Sequence, residues 1–322
     1  MTYKKPIIIV VGPTASGKSE LAVRIAKKVN GEIISADSRQ IYKGLDIGTG
    51  KISGAWHKSK IDGRQFLIYK YRDIIHYGID IANPFKQYSA GQFQKYAEKI
   101  IANVYGRGKI PILCGGTGHW IDAVVFGQAF PEVKPNKKLR ASLQKKTTAQ
   151  LFAQLQQLDP DRAASIDRKN PRRLIRALEI VLSTGKTVPK LQQSSKYDVL
   201  WLGIKTDQKL LHKKIEQRLK QRLKAGMLDE IKTLHQQGID SSKFPSPISR
   251  ERVARAKLGT GEGLSWKRLE SFGLEYKFGA LYLQKKINKK EFIDQLSTAI
   301  KQYSKRQMTW WKRNKLIHWI TI

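Results

Sequence analysis

The amino-acid sequence predicts an α/β fold, in which helices flank a parallel sheet and a helical domain is inserted. Short apolar runs at 7–11, 111–114 and 197–204 alternate with segments of helical periodicity, which is the pattern of parallel strands joined by helices. A glycine-rich loop at 12–19 connects the first run to the first helical segment. The predicted fold class is therefore P-loop NTPase-like.

Composition limits the partners that the chain can have. Its 322 residues are 40% hydrophobic, which is enough for a substantial core. Lys and Arg number 61 against 26 Asp and Glu, a net charge of +35. So large an excess favours a polyanionic partner, with nucleic acid the leading candidate. A membrane surface, or a host whose proteins are generally basic, would explain the charge as well.

Cysteine usage and hydropathy predict a cytoplasmic protein. The single cysteine, Cys114, excludes a disulfide framework and a zinc-finger module, and it fits a reducing compartment. The apolar run at 7–11 is too short for a signal peptide or a membrane span. The six histidines are scattered without the spacing of metal ligands.

The glycine-rich loop has the residue types of a phosphate-binding site. Its backbone N–H groups and the start of the next helix favour an anion, Lys18 adds a full positive charge, and the Ser19 hydroxyl can ligate Mg²⁺. The ligand should carry a diphosphate or triphosphate, and the loop alone does not specify ATP. The predicted phosphate-binding residues are Gly12, Pro13, Thr14, Ala15, Ser16, Gly17, Lys18 and Ser19.

Polar residues follow two further predicted strands. Asp37 comes after the strand that begins at Glu32, where an open α/β sheet places its active site. Asp37 could help to hold Mg²⁺, act as a general base, or cap the next turn. Gly115, Gly116 and Thr117 follow the strand at 111–114, where a Walker B carboxylate is missing. This turn could approach the substrate or simply pack closely against its neighbours.

The composition changes at about residue 134 and predicts three ranges: a P-loop core at 1–133, a helical insertion at 134–190, and the rest of the core with basic C-terminal helices at 191–322. Asn170 and Pro171 predict a helix start, and that helix carries Arg172, Arg173 and Arg176. These arginines could bind phosphates or form a solvated face.

The C-terminal range contains two cationic segments. Asp207 predicts the start of a helix that ends at Ala225 and carries Arg218 and Arg222 on one side. The stretch at 301–315 interleaves aromatic residues with cations, a pattern that suits stacking on nucleotide bases. The alternative is that its tryptophans belong to the core and its cations to a solvated rim.

Several segments in a fixed order resemble the tRNA dimethylallyltransferase family, the isopentenyltransferases that modify the adenosine beside the anticodon. The similarity extends over nearly the whole chain. The matching segments are GPTASGKS (12–19), SADSRQIYKGLDIGTGK (35–51), HYGIDIANPFKQYSAGQF (76–93), PILCGGTGHW (111–120), NPRRLIRALEI (170–180), EQRLKQRLKAGMLDEI (216–231) and SKRQMTWWKR (304–313).

The resemblance implies a reaction and assigns residues to it. The phosphate loop would hold dimethylallyl diphosphate, with Mg²⁺ at Ser19, and the allyl group would be transferred to N6 of the adenosine 3′-adjacent to the anticodon. Asp37 would be the base, with Lys18 and Arg218 stabilising the leaving diphosphate. The residues implied to contact the tRNA anticodon stem-loop are Asp37, Ser38, Arg39, Gln40, Thr117, Arg140, Arg172, Arg173 and Arg176.

The resemblance is to the bacterial type of enzyme, and nothing in the sequence suggests an obligate oligomer, so we expect a monomer. The chain departs from the family pattern in two segments, and a third motif is altered. The connection at 52–75 is longer than usual and we expect an added strand there. The region 238–269 replaces a more regular stretch, and FGLEYKF (272–278) is a loosened glycine-tyrosine motif. Two competing functions remain open from the residues alone: a P-loop kinase or ATPase acting on a nucleoside or nucleic acid, and a non-catalytic RNA-binding protein.

Overall fold

The computed structural model describes residues 4–61, 64–190, 194–237 and 263–321. The chain divides into two compact units, a core unit (Met1–Val125 with Ser195–Ile322) and an insertion unit (Phe126–Ser194). The predicted ranges 1–133, 134–190 and 191–322 stay a prediction about domains, because close contact within one structure does not test independent folding.

The elements alternate along the chain. The strands are β1 (Pro6–Val11), β2 (Gly31–Ser35), β3 (Ala55–Ile61), β4 (Arg64–Tyr71), β5 (Ile74–Tyr77), β6 (Ile110–Cys114), β7 (Asp198–Lys205) and β8 (His318–Thr321). The helices are α1 (Lys18–Val29), α2 (Ala90–Gly106), α3 (Gly118–Phe126), α4 (Lys137–Gln144), α5 (Thr148–Leu158), α6 (Pro160–Ser165), α7 (Pro171–Thr184), α8 (Gln208–Lys224), α9 (Met227–Gln236), α10 (Trp266–Glu270), α11 (Leu274–Leu283) and α12 (Lys289–Trp311).

All of the described strands form one sheet, in the order β3-β4-β5-β2-β6-β1-β7-β8. From β5 to β8 every neighbouring pair is parallel, which confirms the predicted parallel sheet flanked by helices. The strands β3 and β4 pair antiparallel with each other, and β4 pairs antiparallel with β5. The long connection at 52–75 therefore adds two strands, β3 and β4, at one edge, where one was expected, and makes the sheet mixed.

The core lies on both faces of the central strands. In β1 the residues Ile7 to Val11 are all buried, as expected for a parallel strand covered by helices on both sides. Helix α1 packs with Leu21, Ala22 and Ala26 in a cluster that includes Val10 and Ile112. Because these contacts remove apolar surface from water along its length, the central sheet is a rigid support for the loops at its ends.

The strand order places three loops together at the carboxyl ends of the central strands. Strands β2, β6 and β1 are adjacent and parallel, with Ile34 opposite Leu113 and Val10 opposite Cys114. Their carboxyl ends therefore open at the same edge. The phosphate loop follows β1, Asp37 follows β2 and Thr117 follows β6, so the topology converges on the place where the sequence predicts a site.

The insertion unit is helical, and its helices begin at capped residues. Asn136, Thr147, Asp159 and Asn170 each accept a hydrogen bond from a backbone N–H group in the first turn of α4, α5, α6 and α7. A cluster of buried leucines and alanines joins these helices. Leu182, close to the end of α7, is 44% exposed, whereas the preceding Val181 is buried.

Two predictions about the C-terminal range can be compared directly with the structure. Asp207 caps α8 as predicted, and the helix ends at Lys224, one residue before the predicted end at Ala225. In α12 the side chain of Trp311 is 1% exposed and belongs to the core. The segment 301–315 is thus in part a packing element. Residues 238–262 of the unusual region at 238–269 lie outside the described residues.

Across the described ranges, no helix combines the length and the apolar character needed to cross a bilayer.

Candidate active site

The phosphate loop has backbone geometry that its residue types make possible. Gly12 and Gly17 have φ angles of 154° and 89°, in the region where L side chains are strained. A Cβ atom at Gly12 would lie 2.9 Å from the Ser16 Oγ atom, so glycine is required there for space as well. Ala15 adopts a φ of 61°, a strained conformation for a residue with a side chain.

Ser16 provides an independent indication of an anionic ligand. Its side chain is 1% exposed, and within the described chain its Oγ atom has no hydrogen-bond partner. Buried hydroxyl groups are normally satisfied, and an unsatisfied one costs stability. An orphaned donor inside a glycine-rich loop at a helix N-terminus fits a phosphate oxygen as its acceptor.

Lys18 is the charged residue of the loop, and its Nζ atom donates to the carbonyl oxygen of Pro13 at 3.1 Å. Burial lowers the pKa of its amine, Cys114 and Asp37 act to raise it, and Arg218 lowers it. Lys18 is therefore within electrostatic range of Asp37 and Arg218, the other two residues predicted to be catalytic.

Asp37 caps the turn that follows β2, which is one of the roles predicted for it. Its Oδ1 atom accepts hydrogen bonds from the N–H groups of Arg39 at 2.9 Å and Gln40 at 3.4 Å. Both bonds go to Oδ1, so they fix the carboxylate in place and do not engage Oδ2. The capping role is thus compatible with a chemical one, and the predicted base stays a prediction.

Thr117 lies beside Ser38, so two residues predicted to contact tRNA are neighbours. The Thr117 Oγ1 atom accepts from the Ser38 N–H group at 3.1 Å and lies 3.3 Å from the Ser38 hydroxyl. The Gly115 backbone passes so close to Ala36 that a Cβ atom would lie 2.2 Å from the Ala36 carbonyl oxygen. The glycines after β6 therefore allow the close packing that was one of their two predicted roles.

Arg218 lies on α8 and contacts the loop at 48–51, a contact that the sequence analysis did not predict. Its Nη2 atom donates to the carbonyl oxygen of Gly50 at 3.3 Å, and Gln40 donates to the same oxygen at 3.1 Å. Burial lowers the pKa of the Arg218 guanidinium to about 10, and neighbouring Arg222 lowers it as well. The group remains a cation at neutral pH, and within the described chain it has no ion-paired carboxylate.

The loop at 48–51 is held from the other side by Glu230, a residue that the sequence analysis missed. Its carboxylate accepts from the N–H groups of Asp46, Ile47 and Gly48 at 2.7 to 3.1 Å. The Tyr276 hydroxyl donates to the same carboxylate at 2.6 Å. The FGLEYKF motif at 272–278 therefore supports this loop. A glutamate far along the chain gives no local signal of such a role.

Lys51 closes the same loop through a buried ion pair. Its side chain is 5% exposed, and its Nζ atom donates to the carboxylates of Asp80 and Asp46 and to the carbonyl oxygen of Tyr42. Burial raises the pKa of Asp80 to about 6, although Lys51 opposes that effect. Lys51, which lies in the segment at 35–51 that resembles the family, thus has a structural role.

Two further side chains, both on α12, lie near the carboxyl ends of the central strands. Gln307, missed by the sequence analysis, accepts from the N–H group of Thr14 at 2.8 Å and donates to the carbonyl oxygen of Gly116 at 3.0 Å. The Trp310 indole donates to Asp122 at 3.1 Å. Trp310 and Trp311 are engaged in packing, whereas Tyr303 is 36% exposed and has the Arg306 guanidinium over its ring at 5.9 Å.

The predicted tRNA contacts of the insertion unit separate into two kinds. Arg140 and Arg176 both donate to the buried carboxylate of Glu179, at 2.6 to 2.8 Å, and Arg176 also donates to the carbonyl oxygen of Val133. Arg172 and Arg173 are exposed at the start of α7. Arg39, in the core unit, is exposed and donates to the carbonyl oxygen of Ser271 at 3.3 Å.

The residues present fit a phosphate-bound Mg²⁺ ion. In the part of the chain that the structure describes, no group of three or more His, Cys, Asp or Glu residues could form a protein-made cage. Mg²⁺ usually keeps several waters and takes one or two protein ligands together with phosphate oxygens. Ser19 lies in the first turn of α1, directly after the phosphate loop, and its hydroxyl is of the type that could be such a ligand.

Comparison with known proteins gives consistent results. Residues 40–314 match the model of the family described as IPP transferase. The chain is 36% identical over 318 residues to tRNA dimethylallyltransferase 2 of Trichlorobacter lovleyi, covering 98% of this chain and 91% of that protein.

Solved structures agree. The fold is similar to that of the tRNA delta(2)-isopentenylpyrophosphate transferase of Staphylococcus epidermidis, with 31% identity, a TM-score of 0.61, and coverage of 99% of this chain and 93% of that chain. It also resembles a eukaryotic dimethylallyltransferase acting on tRNA, at 24% identity and a TM-score of 0.72, covering 98% of this chain and 74% of that one. The second likeness supports the fold. The chain therefore belongs to the IPP transferase family.

Proposed function

We propose that this protein transfers a dimethylallyl group from dimethylallyl diphosphate to N6 of the adenosine 3′-adjacent to the anticodon of tRNA, with release of diphosphate. The observation that carries the proposal is a phosphate loop in a chain of the IPP transferase family: its buried Ser16 hydroxyl has no partner within the described residues, and its Lys18 is within electrostatic range of Asp37 and Arg218. The tRNA dimethylallyltransferase activity of its relatives suggests the substrates.

The leaving group needs the most stabilisation. An allylic C–O bond breaks while negative charge builds on the departing diphosphate. The loop N–H groups and Lys18 face that charge from one side. Arg218, which donates a hydrogen bond to a neutral carbonyl, supplies a further cation from α8. These donors are fixed before the reaction, so they need little reorganisation as the bond breaks.

The amine of adenine is a weak nucleophile and loses a proton as the new C–N bond forms. Asp37 is held by two backbone N–H groups through Oδ1, which leaves Oδ2 available to accept that proton. A positioned base of this kind contributes about 10²–10⁴ in rate. The proton goes to the Asp37 carboxylate, and the bonding electrons of the C–O bond leave with diphosphate.

Mg²⁺ is part of the proposal as the partner of the diphosphate. Ser19 would hold it, and when bound it would neutralise charge on the phosphate oxygens. Lys18 and Arg218 act on the same charge, so the protein alone supplies two cations and the N–H groups of the loop.

The proposed second partner is the anticodon stem-loop of tRNA. The net charge of +35 suits a polyanion of that size. Exposed Arg172 and Arg173 are proposed to contact phosphates, and Ser38 with Thr117 to contact the target nucleotide. The adenine must leave its stack to reach the allyl group. The enzyme is proposed to act as a monomer in the cytoplasm.

A double-label experiment tests the proposal. Unmodified tRNA is incubated with the protein, Mg²⁺ and either dimethylallyl diphosphate labelled in the allyl group or ATP labelled in the γ-phosphate. The expected result is transfer of the allyl label to tRNA, with none of the phosphate label. Phosphate transfer would instead support a kinase, and binding of tRNA without either label would support an RNA-binding protein.

A further inference from the structure

Gln307 connects two loops of the site from a distant part of the chain. Its side chain is 6% exposed on α12, and both ends of its amide are used. The Oε1 atom accepts from the Thr14 N–H group at 2.8 Å, and the Nε2 atom donates to the Gly116 carbonyl oxygen at 3.0 Å. A buried amide with both ends satisfied specifies one arrangement of its partners.

The two partners flank Lys18. Thr14 is in the phosphate loop after β1, and Gly116 is in the turn after the neighbouring strand β6. A Cβ atom at Gly116 would lie 2.3 Å from the Gln307 Nε2 atom and 3.8 Å from the Lys18 Cε atom. The amide therefore fits against a glycine backbone immediately beside the lysine of the loop.

The loop needs such support. Ala15 follows Thr14 and adopts the left-handed φ of 61°, which costs about 1 kcal/mol for a residue with a Cβ atom. Strained conformations persist where the surroundings determine them. The hydrogen bond from the Thr14 N–H group fixes the Pro13–Thr14 peptide, one residue before this strained position, and so restricts the direction of the N–H groups that follow.

We propose that Gln307 is a positioning residue for the diphosphate: it sets the phosphate loop in its binding shape by tying Thr14 to the turn at Gly116. The proposal rests on the proposed function for the identity of the ligand. The loss of Gln307 should mainly weaken binding of diphosphate and of dimethylallyl diphosphate, because its amide contacts the phosphate loop and the backbone beside Lys18. It should change tRNA affinity much less, because the amide contacts none of the exposed arginines that are proposed to bind tRNA phosphates.

The test is Gln307→Glu, with Gln302→Glu as the matched control on an exposed position of the same helix. The charged variant keeps the size of the side chain but places a carboxylate oxygen against the Gly116 carbonyl. We expect KM for dimethylallyl diphosphate to rise about tenfold or more, since small misplacements at a reacting site are costly, with KM for tRNA within about twofold of wild type.

A second readout separates the failure of this inference from that of the proposed function. Affinity for inorganic diphosphate with Mg²⁺, measured by calorimetry, requires no transfer reaction. It should weaken about tenfold in Gln307→Glu and stay unchanged in Gln302→Glu. Unchanged diphosphate affinity and unchanged KM in the folded Gln307→Glu protein would overturn the inference, whatever the enzyme transfers.

Two further variants keep the inference testable if Gln307→Glu does not fold. Gln307→Met removes both hydrogen bonds without adding charge, and Gly116→Ala pushes the amide away from its partner. Both should weaken diphosphate binding in the same direction. A merely structural role predicts a lower Tm and a smaller active fraction, with diphosphate affinity of the folded protein equal to wild type, and that result would contradict the inference.

Discussion

Two pairs of arginines, one in the core unit and one in the insertion unit, are held in different ways. In the core, Arg218 donates to the carbonyl oxygen of Gly50, while neighbouring Arg222 pairs with the carboxylate of Glu275 at 2.6 Å. In the insertion, Arg140 and Arg176 converge on a single carboxylate, that of Glu179, which is 0% exposed.

The difference shows why a cation in a sequence motif does not by itself identify a binding residue. A carbonyl partner orients Arg218 without cancelling its charge, so that charge remains available to a phosphate group. A buried carboxylate cancels one of the two charges of Arg140 and Arg176 and restricts both guanidinium groups. We therefore expect Arg218 to affect chemistry, and Arg140 and Arg176 to affect stability first.

The largest effect should come from the core unit at Asp37. The variant Asp37→Ala removes the proposed base, and kcat should fall by about 10² or more while tRNA affinity stays near that of wild type. Single-turnover transfer and filter binding measure the two quantities. Because Asp37 also caps a turn, Asp37→Asn serves as the control that keeps the cap and removes the basic oxygen. Unchanged turnover in either variant would remove Asp37 as the base.

The next largest effect is expected at Glu179, which tests whether Arg140 and Arg176 have a structural role. Glu179→Gln leaves two arginines without their buried counterion, and the free energy of unfolding should fall by about 2 kcal/mol or more. The control is Glu216→Gln, which breaks an exposed ion pair with Lys301 and should change stability by no more than about 0.5 kcal/mol. Urea unfolding measures both. Equal stability of the two variants would mean that the buried carboxylate contributes no more than an exposed one.

The same carboxylate predicts a pH dependence. Burial acts to raise the pKa of Glu179, but hydrogen bonds from Arg140 and Arg176 outweigh it and lower the value from 4.5 to about 2. Because the folded-state pKa lies below the unfolded-state value, its stabilisation is complete above about pH 4.5 and is lost as the pH falls toward 2. The difference in stability between wild type and Glu179→Gln should therefore shrink between about pH 5 and about pH 3.

A smaller effect is expected at the exposed arginines of α7. Replacing Arg172 and Arg173 with Gln should weaken tRNA binding. It should also make the fall of log affinity with log salt less steep, by about 1 in the slope for each phosphate that is no longer neutralised. Stability should not change, because neither side chain is buried. Binding is measured at several salt concentrations, with Arg168→Gln as a neighbouring comparison. An unaltered slope in the Arg172 and Arg173 double variant would mean that this face is merely solvated.

Local pattern was sufficient for much of the fold. Strands β1, β2, β6 and β7 follow from short apolar runs, and α7 and α8 begin at the caps that Asn170 and Asp207 predict. Order in the sheet and the antiparallel pair β3 and β4 did not follow, since pairing depends on contacts between segments far apart in the chain.

The site divides in the same way. The phosphate loop and Asp37 follow strands whose ends carry recognisable residues, so their convergence could be anticipated. Gln307 and Glu230 act through residues 293 and 182 to 184 positions away, which no spacing rule reveals. The partner that neutralises Arg140 was equally invisible, because Glu179 stands in α7 among apolar residues, and its burial appears only in the folded protein.

Inhibition by inorganic diphosphate most directly tests whether the phosphate loop holds the leaving group. Diphosphate should compete with dimethylallyl diphosphate in the wild type, and Arg218→Gln should raise its inhibition constant about tenfold or more. Arg140→Gln, in the insertion unit, should leave that constant unchanged. Noncompetitive inhibition, or equal inhibition constants in wild type and Arg218→Gln, would contradict the assignment of Arg218 and the phosphate loop to the diphosphate.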